Sequence, residues 1–160
     1  MTQALTTSAT VIHDTFVLER TYPKARERVF GYLSDPAKKQ RWYGASGDGA
    51  SFEMDFREGG AERSSAKMGA QTPFPGAVLA NAGTYEDILP DVRIVLATSQ
   101  TLAGRRISTS LITFELFDDG EGTRLVLTHQ ACFYEGSGGP EMRKGGWNVL
   151  LDRLGQAMAD

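Results

Sequence analysis

The chain has 160 residues, 41% hydrophobic and 23% charged, with 20 acidic against 17 basic side chains. That length suits one domain with a core of its own, and that composition excludes a disordered chain. A net charge of −3 lacks the basic excess of a nucleic-acid binder, and the lone Cys132 excludes an internal disulfide or a cysteine-built metal site.

Residues 1–9 are small and polar and are expected to form a flexible N-terminus ahead of a single domain over 10–160. Residues 1–13 carry no Lys, no Arg and no long apolar run, so they do not read as a signal peptide. Cytoplasm is the default reading. Residues 10–21 are rich in β-branched and aromatic side chains and read as a first strand, ended by Pro23. A short helix follows over 25–33, with Val29, Phe30 and Leu33 on one stripe. Asp35 suits an N-cap and Pro36 a first helical position, so a second short helix starts there and carries Trp42 and Tyr43 at its end. A Gly-rich break spans 44–50.

From there the period is two. Phe52, Met54 and Phe56 alternate with Glu53, Asp55 and Arg57, which predicts a half-buried strand. Glu58-Gly59-Gly60 turns it into a weak return strand over 61–68. The uncharged stretch 68–85 holds Pro73, Pro75 and three glycines, so it is a loop entering a strand over 78–89 and not a membrane span. Pro90-Asp91 and Gly104-Arg105 flank a strand over 93–102. A strand over 107–117 puts Ile112, Phe114 and Leu116 on one face. Residues 118–122 (DDGEG) make a hairpin turn. The last strand, 123–133, aligns Leu125, Leu127, His129, Ala131 and Phe133. A helix over 140–159 closes the chain with Trp147, Leu150, Leu151, Leu154 and Met158 inward, and Arg143, Lys144 and Asp152 mostly elsewhere. Short links between six successive strands favour antiparallel pairing. The expected architecture is α+β: a seven-stranded curved sheet around a long C-terminal helix, with space between them. Glycine, at 18 residues, is about 11% against roughly 7% in an average protein, which fits many turns or a cavity wall.

Five fragments occur in an order that resembles a known family. They are FGYLSDPAKKQRW (30–42), Asp55 to Gly60 (DFREGG), Gly83 to Pro90 (GTYEDILP), Gly122 to His129 (GTRLVLTH), and Gly146-Trp147 with Leu151 and Leu154. Together they resemble the helix-grip superfamily of the birch pollen allergen and START lipid-transfer domains. Within it they resemble the branch named after the activator of the ninety-kilodalton heat-shock chaperone's ATPase. The resemblance implies a helix-grip fold and an internal pocket for a small hydrophobic or amphipathic ligand. It also admits a polyketide cyclase-like enzyme or a chaperone-interacting module. The chain has no counterpart of the eukaryotic activator's extra N-terminal domain, which argues against direct chaperone stimulation.

The expected pocket walls are Trp42, Tyr43, Phe56, Tyr85, Phe133, Trp147 and Leu151, with His129 as the polar group among them. Tyr85 and Trp147 bury a ring and keep a hydrogen-bonding tip. His129 could bond a ligand or serve as an acid or base, and equally be a neutral core histidine. In an enzyme, His129 or Tyr85 would be the proton donor. Asp55 and Arg57 point away from the core if Phe56 points in. The chain has no G-x-S-x-G, no phosphate loop and no clustered His ligands, so no catalytic set, metal or cofactor is expected. Sheet edges leave a homodimer open, and the Gly-rich segments 69–77 and 136–139 are as consistent with a gate as with ordinary loops.

Overall fold

The computed structural model describes residues 10–44, 49–135 and 137–159. The expected N-terminal tail, residues 45–48 of the Gly-rich break and Gly136 lie outside these. In chain order the elements are β1 (Ile12–Tyr22), α1 (Arg26–Ser34), α2 (Pro36–Gln40), β2 (Ser51–Met54), β3 (Ala61–Lys67), β4 (Val78–Leu89), β5 (Arg93–Leu102), β6 (Arg105–Asp119), β7 (Gly122–Phe133) and α3 (Gly139–Met158). The seven strands form one antiparallel sheet in the order β1-β7-β6-β5-β4-β3-β2. Hairpins link β2 through β7, and β1 crosses to pair with β7, Ile12 opposite Phe133 and Tyr22 opposite Thr123. The sheet curls around α3, which makes this an α+β helix-grip fold. Among the described residues no helix is long and apolar enough to cross a membrane.

Local chemistry explains the element ends. Asp35 Oδ1 accepts from Ala37 N at 2.9 Å and caps α2, with Pro36 at its first position. The β6–β7 hairpin has a two-residue loop, Gly120-Glu121, with positive φ at Gly120. β2 stops at Met54, two residues before the expected alternation through Phe56. The chain turns there through bonds from Asp55 N to Ala61 O and from Arg57 N to Asp55 O. The turn expected at Gly104-Arg105 falls one residue earlier, with positive φ at Ala103 and Gly104, because Arg105 already pairs with Leu102.

Two bulges shift the strand alternation. Tyr85 pairs with Leu96 and Asp87 with Val95, which leaves Glu86 extra on β4. Gln100 pairs with Ser108 and Thr101 with Arg106, which leaves Ile107 extra on β6. A one-residue insertion changes which side chains face inward. Tyr85 and Ile88 therefore both pack on the core, and Ile107 and Ser108 are both buried.

The C-terminal half of α3 is fastened to the sheet. Leu151, Leu154 and Met158 are fully buried. Tyr22 donates its hydroxyl to the Leu151 carbonyl at 2.7 Å. Arg20 reaches Asp152 and Asn148 from β1 at 3.2 and 2.9 Å. The N-terminal half spans the opposite half of the sheet, and the space beneath it is not filled.

Candidate functional site

That space is a cavity of about 440 Å³. Its roof is the first half of α3, with Arg143, Gly146, Trp147 and Leu150. Its floor comes from the inner faces of β3 to β6, including Ala66, Leu79, Leu102, Ile107 and Ile112. Phe74 from the β3–β4 loop and Met142 from the start of α3 line it as well, and both are partly exposed. Of the two Gly-rich segments, 69–77 contributes Phe74 to the lining and 136–139 contributes Ser137.

Polar groups run along one wall as a chain. Ser64 stands at the Tyr43 hydroxyl. Asn81 donates to Ser64 Oγ at 3.4 Å and accepts from Gln100 Nε2 at 3.0 Å. Gln100 then turns its Oε1 toward Arg143, which donates to it at 2.6 Å. Arg143 also donates to Ser108 Oγ at 2.6 Å and to Ser110 Oγ and His129 Nε2 at 3.4 Å each. Burial lowers the Arg143 pKa to about 10, so it is still charged at neutral pH.

Of the expected wall residues, Tyr43 and Trp147 line the cavity, tilted against each other at 6.0 Å. The other six pack behind it. Trp42 is sealed in the core, its Nε1 donating to the Tyr32 carbonyl at 2.8 Å. Phe56 sits edge-on between Phe30 and Tyr85. Tyr85 donates to Glu62, which also holds Lys39. Leu151 is fully buried, and Phe133 stacks against His129. The Asp55–Arg57 ion pair is on the surface, 2.8 Å long.

His129 is fully buried, stacked on Phe16 with centroids 4.6 Å apart and rings nearly parallel. A guanidinium only donates, so His129 Nε2 is the acceptor and Nδ1 holds the proton. That Nδ1 has no partner among the described residues. Burial first, and Arg143 second, lower the His129 pKa to about 4. The imidazole is neutral at physiological pH and orients Arg143 from behind. Tyr85 is pushed far above the ordinary tyrosine range, by burial first and the Glu62 carboxylate second.

Sequence reasoning missed Arg143, placed away from the inward face of the last helix. It precedes Trp147 by four residues and so shares its face. It also missed Ser108, Ser110, Gln100 and Asn81. Extending the Ile112–Phe114–Leu116 alternation backward reaches Ser110 and Ser108 directly. Cys132 faces outward beside His13, its cross-strand partner, at 3.4 Å.

The family described as Activator of Hsp90 ATPase homolog 1-like protein matches residues 24–159. Two solved structures resemble the chain over nearly its whole length. A protein from Rhizobium leguminosarum, described as uncharacterized, is 31% identical, with 94% of this chain and 97% of that one covered and a TM-score of 0.86. Mll3558 from Rhizobium loti is 39% identical, with 92% and 99% covered and a TM-score of 0.83. DynU16, from the dynemicin biosynthetic locus, has the same fold at 18% identity, with 91% of this chain and 47% of that one covered and a TM-score of 0.66. No curated protein matches the chain.

Proposed function

The chain belongs to the Activator of Hsp90 ATPase homolog 1-like protein family, and from that premise we propose that it holds a small hydrophobic or amphipathic molecule in the cavity under α3, as a carrier, sensor or sequestering protein. The observation that carries this reading is the cavity itself. Its roughly 440 Å³ falls within the range of small-molecule pockets, and its walls are mainly apolar with a few convergent polar groups.

No specific observation favours the other two readings. A cyclase would need a proton donor at the substrate, and His129 and Tyr85 do not line the cavity. Their displaced pKa values also disfavour proton transfer near neutral pH. A chaperone-directed module would act through a surface that nothing here singles out.

The test is a thermal-shift panel of fatty acids, fatty alcohols and polycyclic aromatics, run on the natural chain and on two cavity-filling variants. Gly146→Leu adds a side chain from the roof, where a Cβ meets nothing within 4 Å. Ala66→Phe fills from the floor. Some compounds should raise the melting temperature of the natural chain, and the same compounds should leave both variants unmoved while their circular dichroism stays native. A panel that shifts nothing, or shifts the filled variants equally, overturns the proposal.

A further inference from the structure

The charge inside the cavity is one-sided. Among the described residues, its lining carries two charged side chains, Arg143 and Lys67, and both are cations. Arg143 reaches in from α3 and bonds four neutral acceptors: Gln100, Ser108, Ser110 and His129. All four bonds use Nη1 and Nη2. The fifth donor, Nε–H, takes no acceptor among the described residues, and no carboxylate there lies within ion-pair distance of the guanidinium.

We infer that Arg143 is the receptor for a carboxylate, and that the ligand is an amphipathic monocarboxylic acid whose apolar body lies against Ile112, Trp147 and Leu150. This inference rests on the cavity reading above and adds the ligand's chemistry to it. Arg143 is half-buried with no carboxylate beside it, so an anion that joins it gains more than it would at a fully exposed arginine. With the four Nη protons taken, the free Nε–H is the donor left for a carboxylate oxygen, a charge-assisted bond. The surrounding polar groups hold the guanidinium in place without neutralising it. Asn81 fixes the Gln100 amide so that Oε1 faces Arg143, Ser108 takes a second short bond, and neutral His129 accepts from behind. Such a shell preorganises a binding group. Arg143 is the one cation set among these acceptors, while Lys67 is exposed, so a single negative charge suits the inner end of the cavity.

The experiment compares matched acids and alcohols by calorimetric titration at pH 7.5. The probes are decanoic acid with decan-1-ol, and 2-naphthoic acid with 2-naphthalenemethanol. At least one acid should bind about ten- to a hundredfold tighter than its alcohol, the worth of a charge-assisted bond in a sheltered site. In Arg143→Met that acid should fall to its alcohol's affinity while the alcohol is unchanged. Arg143→Lys, which keeps the charge and loses the bonds that hold the guanidinium in place, should retain part of the preference. Should Arg143→Met fail to fold, the acid-to-alcohol ratio on the natural chain still decides. Equal binding of acid and alcohol, abolished by Gly146→Leu, overturns the role of Arg143 and leaves the cavity reading standing. If none of the four probes binds, the carboxylate inference falls; the cavity reading falls too only if the wider panel is also silent.

Discussion

Lys39 Nζ lies 2.5 Å from Glu62 Oε1 in the interior, and both side chains are almost completely buried. Tyr85 donates its hydroxyl to the same carboxylate oxygen. The three groups come from α2, β3 and β4, so one carboxylate ties a helix to two strands. Lys39 Nζ also lies 4.8 Å from the centre of the Tyr43 ring, which lines the cavity. The cluster thus sets one wall of the cavity without entering it.

Glu62→Gln should destabilise the protein by about 3–5 kcal/mol, because it leaves the Lys39 ammonium buried with no counter-charge. Lys39→Met should cost about as much by stranding the carboxylate. The double variant Lys39→Met/Glu62→Leu should be less destabilised than the sum of its parts, since no charge is then left alone. Urea unfolding of the three variants measures this. A cost below about 1 kcal/mol for Glu62→Gln would mean that water reaches the pair.

The fold was legible because its signals are repeated. Leu125, Leu127 and His129 alternate on β7, and Asp35-Pro36 marks a helix start, so element order could be read residue by residue. The cavity lining was harder to read for a physical reason. Large aromatics such as Trp42, Phe56 and Tyr85 draw attention as pocket walls, yet large side chains are what fill space. Room is left where residues are small, here Ser64, Ala66, Ser110 and Gly146. The bulges at Glu86 and Ile107 depend on cross-strand pairing, and no local pattern announces them. Arg143 was passed over because a charged residue on a helix is ordinarily solvent-facing, although its spacing from Trp147 placed it inward.

His129 makes stability depend on pH. Its folded-state pKa of about 4 is below the ordinary 6.5, through burial and then Arg143. Between those values the unfolded chain takes up a proton that the folded chain refuses, so stability falls as pH drops from about 6.5 to about 4. The full effect is roughly 3 kcal/mol. His129→Gln does not titrate and keeps an acceptor for Arg143, so its urea midpoint should decline less over this window. Carboxylates that titrate nearby are common to both chains and cancel in the difference. Parallel pH profiles for the two proteins would mean that His129 is charged in the fold.

Gly60 is fixed by contact. A Cβ there would stand 2.0 Å from the Asp55 carbonyl oxygen and 3.0 Å from that of Arg57, both rigid backbone atoms. The turn that ends β2 and carries Phe56 inward cannot admit it without opening. Gly60→Ala should therefore cost more than about 2 kcal/mol, well beyond an ordinary surface substitution. Chemical denaturation measures it. A near-neutral result would show that the turn relaxes freely.

Gly145 presents the opposite situation, and it separates the stability of α3 from its binding role. It lies in the middle of α3, is exposed, and a Cβ would meet nothing within 4 Å. In an exposed helix interior, alanine is favoured over glycine by about 0.8–1 kcal/mol because it restricts the unfolded chain. Gly145→Ala should therefore raise the melting temperature by roughly 2–4 °C for a chain of this size. Gly145 is absent from the cavity lining, so ligand affinity should not change, in contrast to Gly146→Leu one residue on. A stabilised variant that binds more weakly would instead mean that the adjacent pair Gly145-Gly146 must flex for the guest to enter, making the helix roof part of the entrance.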